Sequence, residues 1–288
     1  MMDGLDEIIP LIKAGKCVLF IGSGVSSLAG CSDWNKLVAS IMQHKIITNS
    51  IKPNEISSLI TNDAKLEYCK IQFEKNNLLN FFWGEVRKAL INYDRKLYNE
   101  KYLELIKALK RIAPFPKIII TTNIDNLLEE TGLFDYHNVF YKIEDFSLSL
   151  HPEGLFHIHG YIESLENALF VSSQYVPRYS DPNFKNFLTT LAKNNSFLFL
   201  GSKVERVILE NILLTTKGNG VSHFMLAHDQ FNLSESDKTI YSDVYNVKVV
   251  KYGDKKNFNK NIQSWIDNKF PETSAKITGE EDVTHAVR

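Results

Sequence analysis

The sequence predicts an α/β fold: a Rossmann-like, doubly wound, mostly parallel sheet with a helical insertion. Three observations point there. Short continuous apolar runs, Val18-Leu19-Phe20-Ile21 and Ile118-Ile119-Ile120 among them, read as strands buried on both faces, the habit of parallel sheets. These runs alternate with segments of helical periodicity. The first run leads directly into Gly22-Ser23-Gly24-Val25-Ser26. That is a glycine turn at the C-terminal end of a strand, where such sheets bind ligands.

The composition sets bounds. With 44% hydrophobic and 23% charged residues the 288-residue chain has an ordinary globular balance. Its net charge of −1 provides no electrostatic footprint for nucleic acid or an anionic membrane. No apolar run approaches the roughly 20 residues of a membrane span. The opening MMDGLDEII lacks the basic region and apolar core of a signal peptide, so a cytoplasmic location is expected. Cys17, Cys31 and Cys69 are odd in number and form no C-x-x-C. Neither a disulfide framework nor a metal site is expected.

Taken in order, Asp3 to Ala14 reads as a short helix ending at Gly15, in which Pro10 sits awkwardly unless the true start is later and Pro10 falls in its first turn. Strand one and the glycine turn follow, and a helix from about Ser26 would aim free N–H groups at a phosphate. Trp34, Leu37, Val38 and Ile41 recur at helical spacing to about His44. The region from about 50 to 112 is helical in pattern with few strand signals, and is read as an insertion or lid beside the sheet. Residues 117–121 form a second buried strand, and Asn126–Glu130 opens a helix that stops near Gly132. Val139–Tyr141 and Leu155–His159 are further strands. Phe184–Ala192 is a helix, Phe197–Leu200 a strand, and Val207–Leu214 a helix. His223–Ala227 and Val247–Tyr252 complete the sheet, and Phe258–Phe270 is a terminal amphipathic helix. One domain over 1–270 is expected, with 271–288 a polar tail or linker.

Three motifs carry the chemistry. Gly22-Ser23-Gly24-Val25-Ser26 is followed, after three residues, by Gly30-Cys31-Ser32-Asp33-Trp34. Thr121-Thr122-Asn123-Ile124-Asp125 and His159-Gly160 come later in the chain. In this order and spacing they resemble the sirtuin signatures G-A-G-x-S with G-I-P-D-F-R, then T-Q-N-I-D, then the catalytic His-Gly. The chain is similar to the sirtuin-like superfamily from roughly Leu5 to Phe270, and within it to the bacterial NAD-hydrolysing branch that serves anti-phage defence.

The resemblance implies that NAD is the substrate. Gly22, Ser23 and Gly24 would hold its pyrophosphate through backbone N–H groups, with the Ser26 hydroxyl a further donor. Asp33 and Trp34 match the loop that covers the nicotinamide end, although Asn35 stands where sirtuins have Arg. Trp34 equally fits core packing beside Leu37 and Val38. Breaking the nicotinamide–ribose bond builds positive charge at the anomeric carbon. Asn123 would position the attacking oxygen there, with Asp125 bonding the nicotinamide amide and Thr122 beside them. An Asn/Asp helix cap is the plainer reading of the same residues. His159 would take a proton from a ribose hydroxyl or water.

Gly201-Ser202 resembles the family's G-x-S after a later strand and is assigned to the adenosine end. His157 is expected to pack or support, and His44, His137, His151, His223, His228 and His285, which lack motif context, to be surface or core residues. Tyr161–Ser196 contains no cysteine. The four-cysteine zinc module of the protein deacylases is therefore missing, and no metal is implied.

The expected activity is NAD glycohydrolysis to nicotinamide and ADP-ribose. The alternatives are a non-catalytic sensor of NAD or ADP-ribose and a deacylase or ADP-ribosyltransferase. By resemblance the chain would work as a homo-oligomer or under a regulatory domain or protein, without nucleic acid or membrane.

Overall fold

The computed structural model describes residues 4–31, 34–50, 61–90, 100–112, 117–132, 138–202, 204 and 208–271. Its strands are β1 (Cys17–Ile21), β2 (Ile118–Thr121), β3 (Val139–Phe140), β4 (Gly154–His157), β5 (Ser196–Leu200), β6 (His223–Ala227) and β7 (Val247–Lys251). They form one sheet in the order β3-β4-β2-β1-β5-β6-β7, with every pair parallel. From central β1 the chain runs outward through β2, then returns to the other side of β1 at β5. The topological switch point therefore lies at the C-terminal end of β1, where the glycine turn begins.

Seven helices of nine or more residues accompany the sheet among the described residues. They are α1 (Trp34–Met42), α2 (Asn62–Lys75), α3 (Leu79–Leu90), α4 (Glu100–Ile112), α5 (Ser172–Ser180), α6 (Pro182–Asn194) and α7 (Phe258–Lys269). Strand residues alternate between two covered faces. Leu19, Ile21, Ile119, Leu198 and Phe224 meet Leu105 and Leu109 of α4 and Ile262 and Ile266 of α7. Val18, Phe20, Ile120, Phe197 and Phe199 meet Phe187, Leu188 and Leu191 of α6. Burial on both faces explains why the strands read as unbroken apolar runs.

Local chemistry sets the helix limits. The Asp181 carboxylate accepts from Phe184 N at 2.9 Å and Pro182 opens α6, an N-cap followed by proline. Pro10 falls at the start of the Ile9–Lys13 helix, where its missing N–H costs nothing. A third cluster joins α1, α2 and α3 through Leu37, Ile41, Leu66, Phe73, Phe82 and Val86. It packs on Ile124, Tyr161 and Phe170, which lie beyond the C-terminal ends of β2 and β4.

Three expectations are corrected. The segment after the glycine turn is one helical turn, Ser23–Ser26, then a 3-10 turn, Ser27–Ala29, closed by Gly30 at φ +91°. It is too short to supply a long helix's N-terminal field. β4 ends at His157, so His159 lies two residues past the strand. The helix expected over Val207–Leu214 contains a π turn, Leu209–Leu213, followed by 3-10 backbone. The polar stretch from 272 onward lies outside the described residues.

Candidate active site

A cavity of about 530 Å³ opens at the C-terminal edge of the sheet, within the range of about 300–1,000 Å³ usual for small-molecule sites. Ser23, Gly24, Ser26, Trp34, Thr122, Asn123, Asp125, His159, Gly201 and Ser202 all line it. Gly22 does not, and Asp33 lies outside the described residues.

The glycines of the first turn serve a close approach between two loops. A Cβ on Gly22 would stand 2.4 Å from Ser202 Cβ, and one on Gly24 would stand 2.6 Å from the Gly201 carbonyl oxygen. Their amides are engaged there too. Gly22 N–H donates to Leu200 O at 2.9 Å and Gly24 N–H to Gly201 O at 2.8 Å. A pyrophosphate would therefore not find those two donors free. Of this turn's residues, Ser23 is exposed at the cavity wall.

Asn123 is held on three sides. Its N–H donates to Thr121 Oγ1 at 3.0 Å. Its Nδ2 donates to Ser26 Oγ at 2.8 Å and to Gly22 O at 3.3 Å. Its carbonyl oxygen lies 2.7 Å from His157 Nδ1. That leaves Oδ1, which is buried with no hydrogen-bond partner. The amide is pinned with an acceptor oxygen in reserve.

Ser26 is likewise committed. It accepts from Asn123 and bonds the Asp125 carboxyl, so its hydroxyl organises the wall instead of serving a phosphate. Asp125 also accepts from Leu127 N–H at 3.2 Å. Burial pushes the Asp125 carboxyl above the ordinary carboxylate range, against the Ser26 and Leu127 bonds that favour its charged form. Cys31, in the same wall, has its thiol pushed up by burial and then by the charges of Asp125 and Glu130.

His159 is 2% exposed, and its Nε2 lies 2.8 Å from the Tyr179 hydroxyl. Tyr175 stands edge-on to the ring at 5.5 Å. Leu169 N–H donates to His159 O at 2.7 Å, and Arg178 donates to Ile158 O and Asn167 O. These bonds tie the segment beyond β4 to α5. Gly160, at φ +95°, would carry a Cβ 2.5 Å from Ala168 Cα, so only glycine fits after this histidine.

The sequence reading missed the far wall: Met225, Leu226, Ala227, His228, Phe231, Tyr252, Lys255 and Phe258. His228, expected to be background, lines the cavity. The available signal was positional, since these residues sit at or just past the ends of β6 and β7. Leu90 of α3 and Phe170, edge-on to Trp34 at 5.7 Å, close the opposite side. Among the described residues, no cluster of three or more His, Cys, Asp or Glu could hold a metal ion. No helix among them is long and apolar enough to cross a membrane.

Fold and cavity together define a parallel α/β protein with a cavity at the switch point of the sheet. Residues 117–250 match the family model described as a SIR2-like domain. That span begins just before β2 and leaves out the glycine turn. Among solved structures, the chain is similar to one from work on the mechanism and regulation of Sir2 enzymes. That likeness has 14% identity and a TM-score of 0.48, over 93% of this chain and 98% of that one. It is also similar to a Sir2 homologue in complex with NAD, at 12% identity and a TM-score of 0.48, over 94% of this chain and 96% of that one. No curated protein matches the chain in sequence.

Proposed function

We propose that the chain is an NAD glycohydrolase that cleaves the nicotinamide–ribose bond, using Asn123 and His159. The observation that carries this reading is the Asn123 amide. It is fixed by its own donors so that Oδ1, an acceptor only, remains unpaired in a cavity wall that also holds His159. Such an oxygen suits a water or ribose hydroxyl whose own oxygen must face the anomeric carbon as positive charge develops there. His159 accepts the proton released as that oxygen bonds to carbon. Nicotinamide leaves with the electrons of the broken C–N bond, and water supplies the hydroxyl of ADP-ribose.

In this reading Trp34 and Asp125, both in the cavity wall, serve the nicotinamide end, Asp125 by bonding the carboxamide. The Gly201-Ser202 turn and the ends of β6 and β7 are assigned to the adenosine end. The lack of cysteine in Tyr161–Ser196, where the deacylases carry their zinc module, supports this reading over peptide deacylation. A role in NAD depletion during anti-phage defence, in the cytoplasm and under control of self-assembly or a partner, follows from the resemblance. An NAD hydrolase without control would harm its own cell.

The test is incubation with NAD and chromatography of the products, with light scattering on the same sample to read its assembly. Nicotinamide and ADP-ribose formed without an acyl-lysine peptide support the proposal. NAD retained intact by a protein that binds it would instead make the chain a sensor.

A further inference from the structure

Beneath the cavity lies a polar cluster that no proposed step has used. Glu129 and His157 are 2% and 0% exposed, and neither lines the cavity. His157 Nδ1 lies 2.7 Å from the Asn123 carbonyl oxygen, and its Nε2 lies 2.7 Å from Glu129 Oε1. A carbonyl oxygen only accepts, so Nδ1 carries hydrogen and donates. Nε2 and Oε1 cannot both be bare acceptors at that separation, so one proton lies between them. The Tyr161 ring, edge-on at 4.9 Å, covers the imidazole.

The topology makes this cluster possible. The parallel register pairs Thr121 of β2 with His157 of β4, which sets the histidine beside the turn after β2. The same turn runs into the Leu127–Glu130 helix, which brings Glu129 back under Asn123.

We propose that Glu129 and His157 are positioning residues: they fix the Asn123 peptide so that its unpaired Oδ1 stays where the reacting oxygen must bind. Glu129 holds the imidazole in the form that donates from Nδ1. That donor anchors the Asn123 carbonyl opposite the Ser26 and Gly22 contacts of the side chain. The inference rests on the glycohydrolase reading for its kinetic consequence only.

The experiment compares Glu129→Ala and Glu129→Gln in the full chain. It uses steady-state nicotinamide release and long-range ¹H–¹⁵N spectra of the histidine rings. Misplacing a catalytic group by about 1 Å costs on the order of 100-fold. Glu129→Ala should therefore lower kcat roughly 10- to 100-fold with KM little changed. Glu129→Gln, whose amide can donate to Nε2 and preserve the Nδ1–H form, should restore most of the rate.

In wild type and Glu129→Gln the His157 signals should show hydrogen on Nδ1, and in Glu129→Ala they should shift. A role in stability alone would lower the melting temperature without the kcat-specific loss or its rescue. The inference is overturned if Glu129→Ala retains its kcat, or if Nδ1 of His157 carries no hydrogen in wild type. If wild type releases no nicotinamide, the activity reading fails separately, and the ring spectra still decide whether the Nδ1 donor exists.

Discussion

The two ends of the parallel sheet bury similar residues for different purposes. At the N-terminal edge, His223 opens β6 and its Nδ1 accepts the Phe197 N–H at 3.1 Å. Beside it Ser196 Oγ donates to Ser222 O at 2.7 Å. Burial depresses the His223 imidazole to about 4, which keeps it neutral and able to accept. At the C-terminal edge, Asn123 is bonded through every polar atom except Oδ1, and the buried Asp125 carboxyl rests on bonds from Ser26 and Leu127. At one edge His223 and Ser196 spend hydrogen bonds on holding strands together, and at the other Asn123 keeps Oδ1 unpaired in the wall of a cavity of about 530 Å³. Buried polarity alone therefore does not mark a site. An unpaired buried atom in a cavity-lining residue is what asks for a further explanation.

The largest expected effect is on chemistry at the C-terminal edge. Asn123→Ala and His159→Ala should each reduce nicotinamide release by about 10²–10⁴-fold, the usual range for a general base or a positioned reacting group. Asn123→Ala also removes the side-chain bonds to Ser26 and the Gly22 carbonyl, each of which keeps another partner, so it should cost about 1–2 kcal/mol of stability. His223→Asn, at the other edge, should leave turnover near pH 7 intact. A His223 variant as inactive as the Asn123 variant would break the contrast between the edges.

The second effect belongs to the N-terminal edge and depends on pH. The folded value of His223, about 4, lies below the ordinary 6.5, so the unfolded chain takes up the proton first as pH falls. The stabilising contribution is whole above 6.5 and is lost as pH falls toward 4. The difference corresponds to about 3 kcal/mol. Thermal unfolding between those limits should show wild type losing stability faster than His223→Asn. Parallel curves would remove His223 from the account.

The strands and most helices were legible because burial on both faces writes itself as apolar runs, and Trp34 to Ile41 as a helical stripe. The sheet order was not, since pairing β1 with both β2 and β5 depends on contacts distant in sequence. The end of β4 was misread because Ile158, apolar and fully buried, continues the run past His157. That Asn123 and His159 meet in one cavity was foreseeable from the motif spacing. His157 looked like a neighbour of lesser interest, yet it holds the Asn123 carbonyl, a partner that only folding supplies. The glycine turn was read for ligand approach, whereas its lack of Cβ is required by the Gly201-Ser202 loop.

That last point can be measured. Gly22→Ala would force a methyl to 2.4 Å from Ser202 Cβ, between loops already joined by the Gly22–Leu200 and Gly24–Gly201 backbone bonds. Overpacking of this kind typically costs about 1–3 kcal/mol. The melting temperature should fall, and substrate affinity should weaken as the two loops separate. Undiminished stability would mean that the loops can part cheaply, and that the C-terminal edge is less rigid than its contacts imply.

The smallest effect concerns Ser26, which joins Asn123 to Asp125. Ser26→Ala removes an acceptor for Asn123 Nδ2 and a hydroxyl bonded to the Asp125 carboxyl. Each neutral bond of this kind is worth about 1 kcal/mol. The Asp125 bond favours the ionised carboxylate, so its loss matters most where that form is populated. Asp125 is raised in the folded state above its ordinary 3.8, so the native protein holds the proton longer than the unfolded chain. Its contribution is whole below 3.8 and is lost as pH rises through the folded value. Removing Ser26 raises that folded value further and deepens the loss at higher pH. The Ser26→Ala deficit relative to wild type should therefore grow as pH rises through the Asp125 titration. A deficit independent of pH would show that Ser26 serves Asn123 alone and that Asp125 draws its support from Leu127.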